Sequence, residues 1–229
     1  VRRVLKLMVP ALFGVSVAQI SLLIDTMFAS FLPVGSVTWL YLSDRLMNFP
    51  LGVFGVAIAP VILPFLSRSH AKKSEAEYSK TLDWALRLLF LIGVPASIAL
   101  LILSGPLLAT LLHYGRFDDF DVRMTRESLM AFAFGVQGFM LIKVLASGFY
   151  AKQNIKTPVK IAAVAMCANI ILNFILIFPL KHAGLALATT LSGYLNAGLL
   201  LPFLLKRRLY TPESGWLKYA VQLGLANLL

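Results

Sequence analysis

Apolar stretches long enough to cross a lipid bilayer recur along this sequence with little between them. They run at about Leu5–Phe31, Val34–Leu66, Leu82–Leu103, Met124–Tyr150, Pro158–Pro179, Gly184–Leu205 and Trp216–Leu229. A helix needs roughly 20 apolar residues to span the hydrocarbon. The pattern therefore predicts an all-α, polytopic transmembrane helix bundle of six complete spans and the start of a seventh. Residues 1–205 form one six-helix unit on this reading, and 206–229 form a loop followed by the beginning of the next helix. With 59% hydrophobic residues and 14% charged, nothing remains from which to build a sizeable extramembrane domain.

Two runs depart from the simple pattern. The second covers 33 residues, more than a bilayer needs, and Pro50, Pro60 and Pro64 predict a kink or an extension beyond the hydrocarbon. Pro106–Tyr114 is apolar but short and reads as an interfacial turn of helix separate from the third span.

The net charge of +11 has to be read by position, because Lys and Arg accumulate on the cytoplasmic side of membrane proteins. Arg2, Arg3, Lys6, Arg68, Lys72, Lys73, Lys80, Lys152, Lys156, Lys160, Lys206, Arg207, Arg208 and Lys218 fall in one alternating set of connections. Arg116, Arg123, Arg126 and Lys181 fall in the other, the first three beside Asp118, Asp119, Asp121 and Glu127. Fourteen cations against four put the N-terminus and the basic loops inside and the acidic loop outside. Topology thus absorbs most of the charge, and a nucleic-acid footprint is not implied; the loop from Arg68 to Lys80 reads as an anchor among anionic lipid headgroups.

The first run is too long for a signal peptide and lacks a small-residue cleavage site. The absence of an initial Met and the stop inside an apolar run at Leu229 suggest a piece of something longer. Cys167 is the single cysteine, so no disulfide forms within the chain, and its place in a span predicts a buried, inert thiol. Walker, dinucleotide, HExxH and CxxC patterns do not occur, which gives no support to an ATP-driven engine or a patterned metal site.

Polar residues inside the runs carry the functional signal, since each charge there costs roughly 2.5–3.5 kcal/mol on insertion scales. Tyr41, Asp44, Arg45 and Asn48 recur at i, i+3, i+4 and i+7 and share one face of the second span. Asp44 and Arg45 point about 100° apart on a helix and do not neutralise one another cleanly. Arg45 is thereby available to an external anion, for which its planar, permanently charged fork is suited. The competing reading pairs Arg45 with a carboxylate on another helix. Lys143 lies about two turns from the inner end of its span, where binding and snorkelling are equally good explanations. Asp83 and Arg87 read as an interfacial i,i+4 pair.

A second constellation links Asp25 in the first span, Asn169 and Asn173 on one face of the fifth, and Thr189, Ser192, Gly193 and Asn196 along the sixth. Oxygen-rich side chains with one carboxylate suit sodium or a protonatable acid. Ordinary interhelical packing also uses such residues. The Gly115–Asp121 loop, with His113 nearby, matches no ligand pattern and reads as a solvated acidic loop.

The segment Tyr41-Leu42-Ser43-Asp44-Arg45-Leu46-Met47-Asn48-Phe49-Pro50-Leu51-Gly52-Val53-Phe54-Gly55-Val56-Ala57-Ile58-Ala59-Pro60, continuing to Leu63-Pro64-Phe65-Leu66-Ser67, resembles the MurJ (MviN) family of lipid II flippases. That family belongs to the multidrug/oligosaccharidyl-lipid/polysaccharide exporter superfamily. Phe149-Tyr150-Ala151 with Thr157-Pro158-Val159-Lys160, and Gly184-Leu185-Ala186-Leu187-Ala188-Thr189, extend the resemblance over the whole chain. It implies a fourteen-helix transporter of two six-helix lobes and two terminal helices in the bacterial inner (cytoplasmic) membrane. Such a transporter moves undecaprenyl-pyrophosphate-linked peptidoglycan precursor (lipid II) to the outer leaflet for cell wall synthesis. This chain resembles the second lobe and the start of the thirteenth helix; the partners implied are lipid II, membrane lipids and the N-terminal lobe. Arg45 is similar to a cavity arginine of the family's eighth helix. Asp25, Asn169, Asn173 and Thr189 are similar to a sodium site of some relatives, in which the position of Asn173 is acidic. No cofactor is implied beyond coupling to sodium or protons.

The expected function is thus a transporter and not an enzyme. An ion-coupled multidrug exporter of the same superfamily is the alternative, and it has no need of Arg45. An integral-membrane lipid transferase using Asp118, Asp119 or Asp121, and a non-transporting scaffold, are readings from other classes.

Overall fold

The computed structural model describes residues 2–206 and 209–228, and within them the side chains other than those of 2–11, 13, 15, 18, 56 and 228. Arg207, Arg208 and the two end residues of the units expected above lie outside the described residues, as do the side chains of Arg2, Arg3 and Lys6. All secondary structure among the described residues is helical: α1 (Arg2–Ser30), α2 (Ser36–Pro50), a π-helical turn (Leu51–Gly55), α3 (Val56–Ala71), α4 (Glu75–Leu112), α5 (Asp119–Ala151), α6 (Lys156–Lys206) and α7 (Trp216–Leu228). Four helical runs among them are long and apolar enough to cross a membrane: 36–71, 75–112, 119–151 and 156–206.

α1 turns into α2 through Gly35, which takes a left-handed φ of 105°. A Cβ there would lie 2.5 Å from the Trp39 ring. Pro50 lacks the N–H that would continue the α ladder, and the chain answers with the π turn before α3 resumes. The kink expected in the second run is therefore one extra residue's worth of winding inside an unbroken 36-residue helix. α4 departs from expectation: Pro106 does not begin a separate interfacial turn but lies inside a helix that continues to Leu112. Thr110 donates back to the Pro106 carbonyl at 2.8 Å. Apolar neighbours and hydroxyl back-bonds of this kind let helices in membranes carry proline.

α6 is interrupted at Lys181 (φ 49°, ψ −126°). Asn169 Nδ2 and Thr189 Oγ1 are 3.3 Å apart, whereas twenty residues of straight helix would separate them by about 30 Å. The run thus doubles back as a hairpin with arms on either side of Lys181. Gly184 makes the reversal feasible, since a Cβ there would collide with the Leu176 carbonyl.

α5 is the enclosed centre, packed by α6, α4, α2 and α3, while α1 lies mainly on α6 and α7 touches α4. The core gathers Leu82, Leu89, Val136, Met140, Leu145 and Leu200. Gly135, Gly138 and Gly193 let α5 approach the second arm of α6 until Thr190, Tyr194 and Phe139 fill the space. Many outward-facing positions are apolar, with Phe31 83% and Phe178 82% exposed. Cys167 also faces out, which corrects the expectation of a buried thiol: its helix turns that side away from α5.

Polar ties pin the ends. Lys152 meets Glu75 at 2.9 Å and lies 4.6 Å from the centre of the Tyr78 ring, holding the α3–α4 and α5–α6 turns at one end. At the other end, Trp39 Nε1 donates to Asp121 Oδ1 at 2.7 Å. His182 there lies tilted against Trp39, ring centroids 5.0 Å apart, and bonds the Met124 carbonyl at 2.9 Å. Asp118 and Asp121 form a capping box on α5.

Candidate functional site

The four polar residues of α2 emerge on one open face. Arg45 Nε donates to the Tyr41 hydroxyl at 3.0 Å, and the guanidinium lies 5.0 Å from the centre of the Tyr41 ring. Asn48 Nδ2 donates to Asp44 Oδ2 and to the Asp44 carbonyl, both at 2.9 Å. Asp44 is thus engaged by an amide, and Arg45 has no ion pair among the described residues. Tyr41, Arg45 and Asn48 are exposed, Asp44 half-buried. What remains is a cation braced by an aromatic ring, with most of its fork unused.

The second constellation closes on itself. Asp25 Oδ1 accepts from Asn173 Nδ2 at 2.6 Å and Oδ2 accepts from the Thr189 hydroxyl at 3.3 Å. Asn173 Nδ2 also reaches Asn169 Oδ1 at 3.2 Å, and Asn169 Nδ2 donates to Thr189 Oγ1. Both asparagines are buried, and Asn173 Oδ1 has no hydrogen-bond partner. One carboxylate, two amide oxygens and a hydroxyl form a donor set of the hard, oxygen-rich type that suits a small cation or a protonated acid. No group of three or more His, Cys, Asp or Glu side chains occurs among the described residues. Ser192 turns back to the Thr189 carbonyl, Gly193 packs against Phe139 and Asn196 Oδ1 is buried without a partner, so of the sixth-span stripe Thr189 is the residue that joins Asp25.

The two constellations meet. A cavity of about 290 Å³ between α1, α2, α5 and α6 is lined by Asp25, Tyr41, Asp44, Phe132, Leu185 and Thr189 among others. Arg45, Asn48 and Lys143 are not in that lining: Arg45 and Asn48 stand exposed on α2 next to Tyr41 and Asp44, and Lys143 is exposed on α5, three turns along from Phe132.

Asp83 is where reading the sequence fell short. Beyond its 2.8 Å pair with Arg87, its Oδ1 accepts from Tyr210 Oη at 2.6 Å, Trp216 Nε1 at 2.8 Å and Glu213 N at 3.2 Å. Arg87 reaches the Ser214 carbonyl and lies 5.3 Å from the Trp216 ring centre. Burial, and after it the Asp83 carboxylate, pushes the Tyr210 phenol up, so its hydroxyl stays a donor through neutral pH. Tyr210, Trp216 and Tyr219 clustered after a basic loop are the signal that could have found this clasp.

Residues 1–229 match the family profile described as Lipid II flippase MurJ along their whole length. The chain belongs to the MurJ family. Among relatives, the probable lipid II flippase MurJ of Haemophilus influenzae is 50% identical over 216 residues, covering 92% of this chain and 42% of that protein. The lipid II flippase MurJ of Burkholderia cenocepacia is 47% identical over 223 residues, 97% of this chain and 43% of that protein. A solved structure of lipid II flippase MurJ in an inward closed conformation superposes with a TM-score of 0.85 at 28% identity, covering 98% of this chain and 46% of that one. An outward-facing multidrug resistance MATE transporter shares the fold at a TM-score of 0.79 and 18% identity, over 98% of this chain and 52% of that one. This MurJ-family chain thus spans less than half the length of the curated relatives described.

Proposed function

We propose that this chain is the second lobe, with the start of the following helix, of a two-lobe flippase for lipid II. Its six complete spans are α1, the α2–α3 helix, α4, α5 and the two arms of α6, and α7 begins a seventh. The protein sits in the bacterial inner membrane with the chain's N-terminus cytoplasmic, a direction supported by the basic turns tied together at the Glu75–Lys152 end. It works as a transporter: the N-terminal lobe completes the cavity, and the two lobes rock around the bound headgroup while the polyprenyl tail stays near membrane lipid.

The observation that carries this reading is the state of Arg45. The nearby carboxylates are hydrogen-bonded by amides and a hydroxyl, leaving the Arg45 guanidinium without an ion pair next to residues that line a cavity. A pyrophosphate supplies the planar pairs of oxygens such a fork binds. Asp44, Tyr41 and Asn48 brace it, and Lys143 attracts the anion from a distance. Asp25, held by Asn169, Asn173 and Thr189, is the coupling or gating residue, taking sodium or a proton. With a single carboxylate in the set, the neutral state needs only one charge to arrive.

The test places Arg45→Ala and Arg45→Lys in the full-length transporter and measures outward appearance of lipid II in cells depleted of the native protein. Arg45→Ala should lower it by at least about tenfold, the loss of one charge-assisted bidentate contact, and Arg45→Lys should fall between. Normal translocation in both variants removes the anion-contact role. The multidrug exporter alternative has no use for an unpaired cation facing cationic substrates. A transferase centred on Asp118, Asp119 and Asp121 is disfavoured because Asp118 and Asp121 are committed to capping α5, and Asp121 also to Trp39.

A further inference from the structure

At the end of the bundle that holds the acidic loop, α1 and the first arm of α6 part around an open groove of about 640 Å³. Its walls are Met27, Phe28, Phe31, Phe174, Ile177 and Phe178, and its floor is the edge-on contact of Phe28 with Phe174, centroids 4.8 Å apart. The size lies within the roughly 300–1,000 Å³ of ligand pockets that are apolar with a few placed polar groups. Here the placed group is Lys181, the single charged residue of the lining.

Lys181 occupies an unusual position. It is the residue at which α6 reverses, with φ 49° and ψ −126°, a conformation natural to glycine and strained for lysine. It is exposed and lines the groove at the α6 reversal, which on the orientation proposed above lies at the outer membrane surface. The groove shares no lining residue with the cavity beside Arg45. It flanks α1 from the other side, next to the Asn173–Asp25 hydrogen bond.

Hydrocarbon walls with one cation at their outer end complement one lipid chain and one phosphodiester. We infer that the groove holds an acyl chain of an anionic glycerophospholipid of the outer leaflet, with its phosphate on Lys181. The inference rests on the orientation proposed above. The bound lipid props α1 against α6 and thereby supports the contact that carries Asp25.

The experiment puts p-benzoylphenylalanine in place of Phe178 in the full-length polypeptide, in vesicles of phosphatidylglycerol and phosphatidylcholine. Adducts formed under ultraviolet light are identified by mass. Phosphatidylglycerol should be captured about fivefold above its share of the bilayer, as one basic residue near a membrane surface provides. Lys181→Gln should return capture to the bulk ratio, and Lys181→Arg should keep the enrichment. Capture of another segment of the polypeptide, adducts at the bulk ratio in the parent protein, or no adduct overturns the inference. Orientation is read separately, by labelling Gly115→Cys in a Cys167→Ser background with a membrane-impermeant maleimide. Capture needs no translocation, so an Arg45→Ala protein should give the same adducts.

Discussion

Arg45 and Asp83 are both charges within apolar helices, and the structure treats them oppositely. Arg45 keeps its fork open, whereas Asp83, 1% exposed, collects four donors. Replacing Asp83 with Ala leaves Arg87, Tyr210 and Trp216 without their acceptor and should lower stability by about 3–5 kcal/mol, as for a broken buried pair. Asp83→Asn, which retains an acceptor oxygen, should cost about 1–3 kcal/mol. Thermal unfolding in detergent measures both. Asn173→Asp sets a second carboxylate against Asp25 where an amide now donates at 2.6 Å, so that the pair must share a proton or recruit a cation. The variant should melt higher in sodium than in potassium chloride, and by a wider margin than the parent. The α2 stripe was legible from spacing alone because helical periodicity fixes which side chains share a face. Asp83's partners were not, because Tyr210, Glu213 and Trp216 come from a segment more than 120 residues away.

Among the helices, proline and glycine were informative only in part. Pro50 announced a disturbance but not its form: the π turn keeps the helix continuous. Five residues of π winding turn the chain about as far as four of α, so deleting Val53 should restore α winding with α2 in nearly the same phase against α3. Arg45 should keep its face, and lipid II translocation should persist in a protein that still inserts, as read by membrane-fraction immunoblot. Pro106 misled because an aqueous rule for helix ends was applied where neighbouring apolar surface and hydroxyl back-bonds keep the helix going. Gly184 is a firmer marker. Gly184→Val drives a side chain into the Leu176 carbonyl, and loss of the α6 hairpin should appear as lost folded yield in size-exclusion chromatography.

Taken whole, the bundle's membrane character was readable from apolar runs, since hydrocarbon demands long helices whatever the packing. The meeting of Asp25 with Asp44 and Tyr41 at one cavity was not, because it depends on α1 and α6 closing beside α2 in three dimensions. If a lobe supplies only half of the substrate cavity, this chain expressed alone should not support lipid II translocation in depleted cells. Co-expression with the complementary N-terminal segment should restore it at least in part. The Asp83 clasp bears on how such a molecule moves. Among the described residues α7 is fastened at its first turn and packs mainly on α4, which would make Asp83 a fulcrum and the 13-residue helix a lever. At 1.5 Å per residue the far end lies about 20 Å from that fulcrum, and a tilt of about 10° there would sweep it by about 3 Å. Small adjustments of α4 would thereby be magnified at the far end of α7.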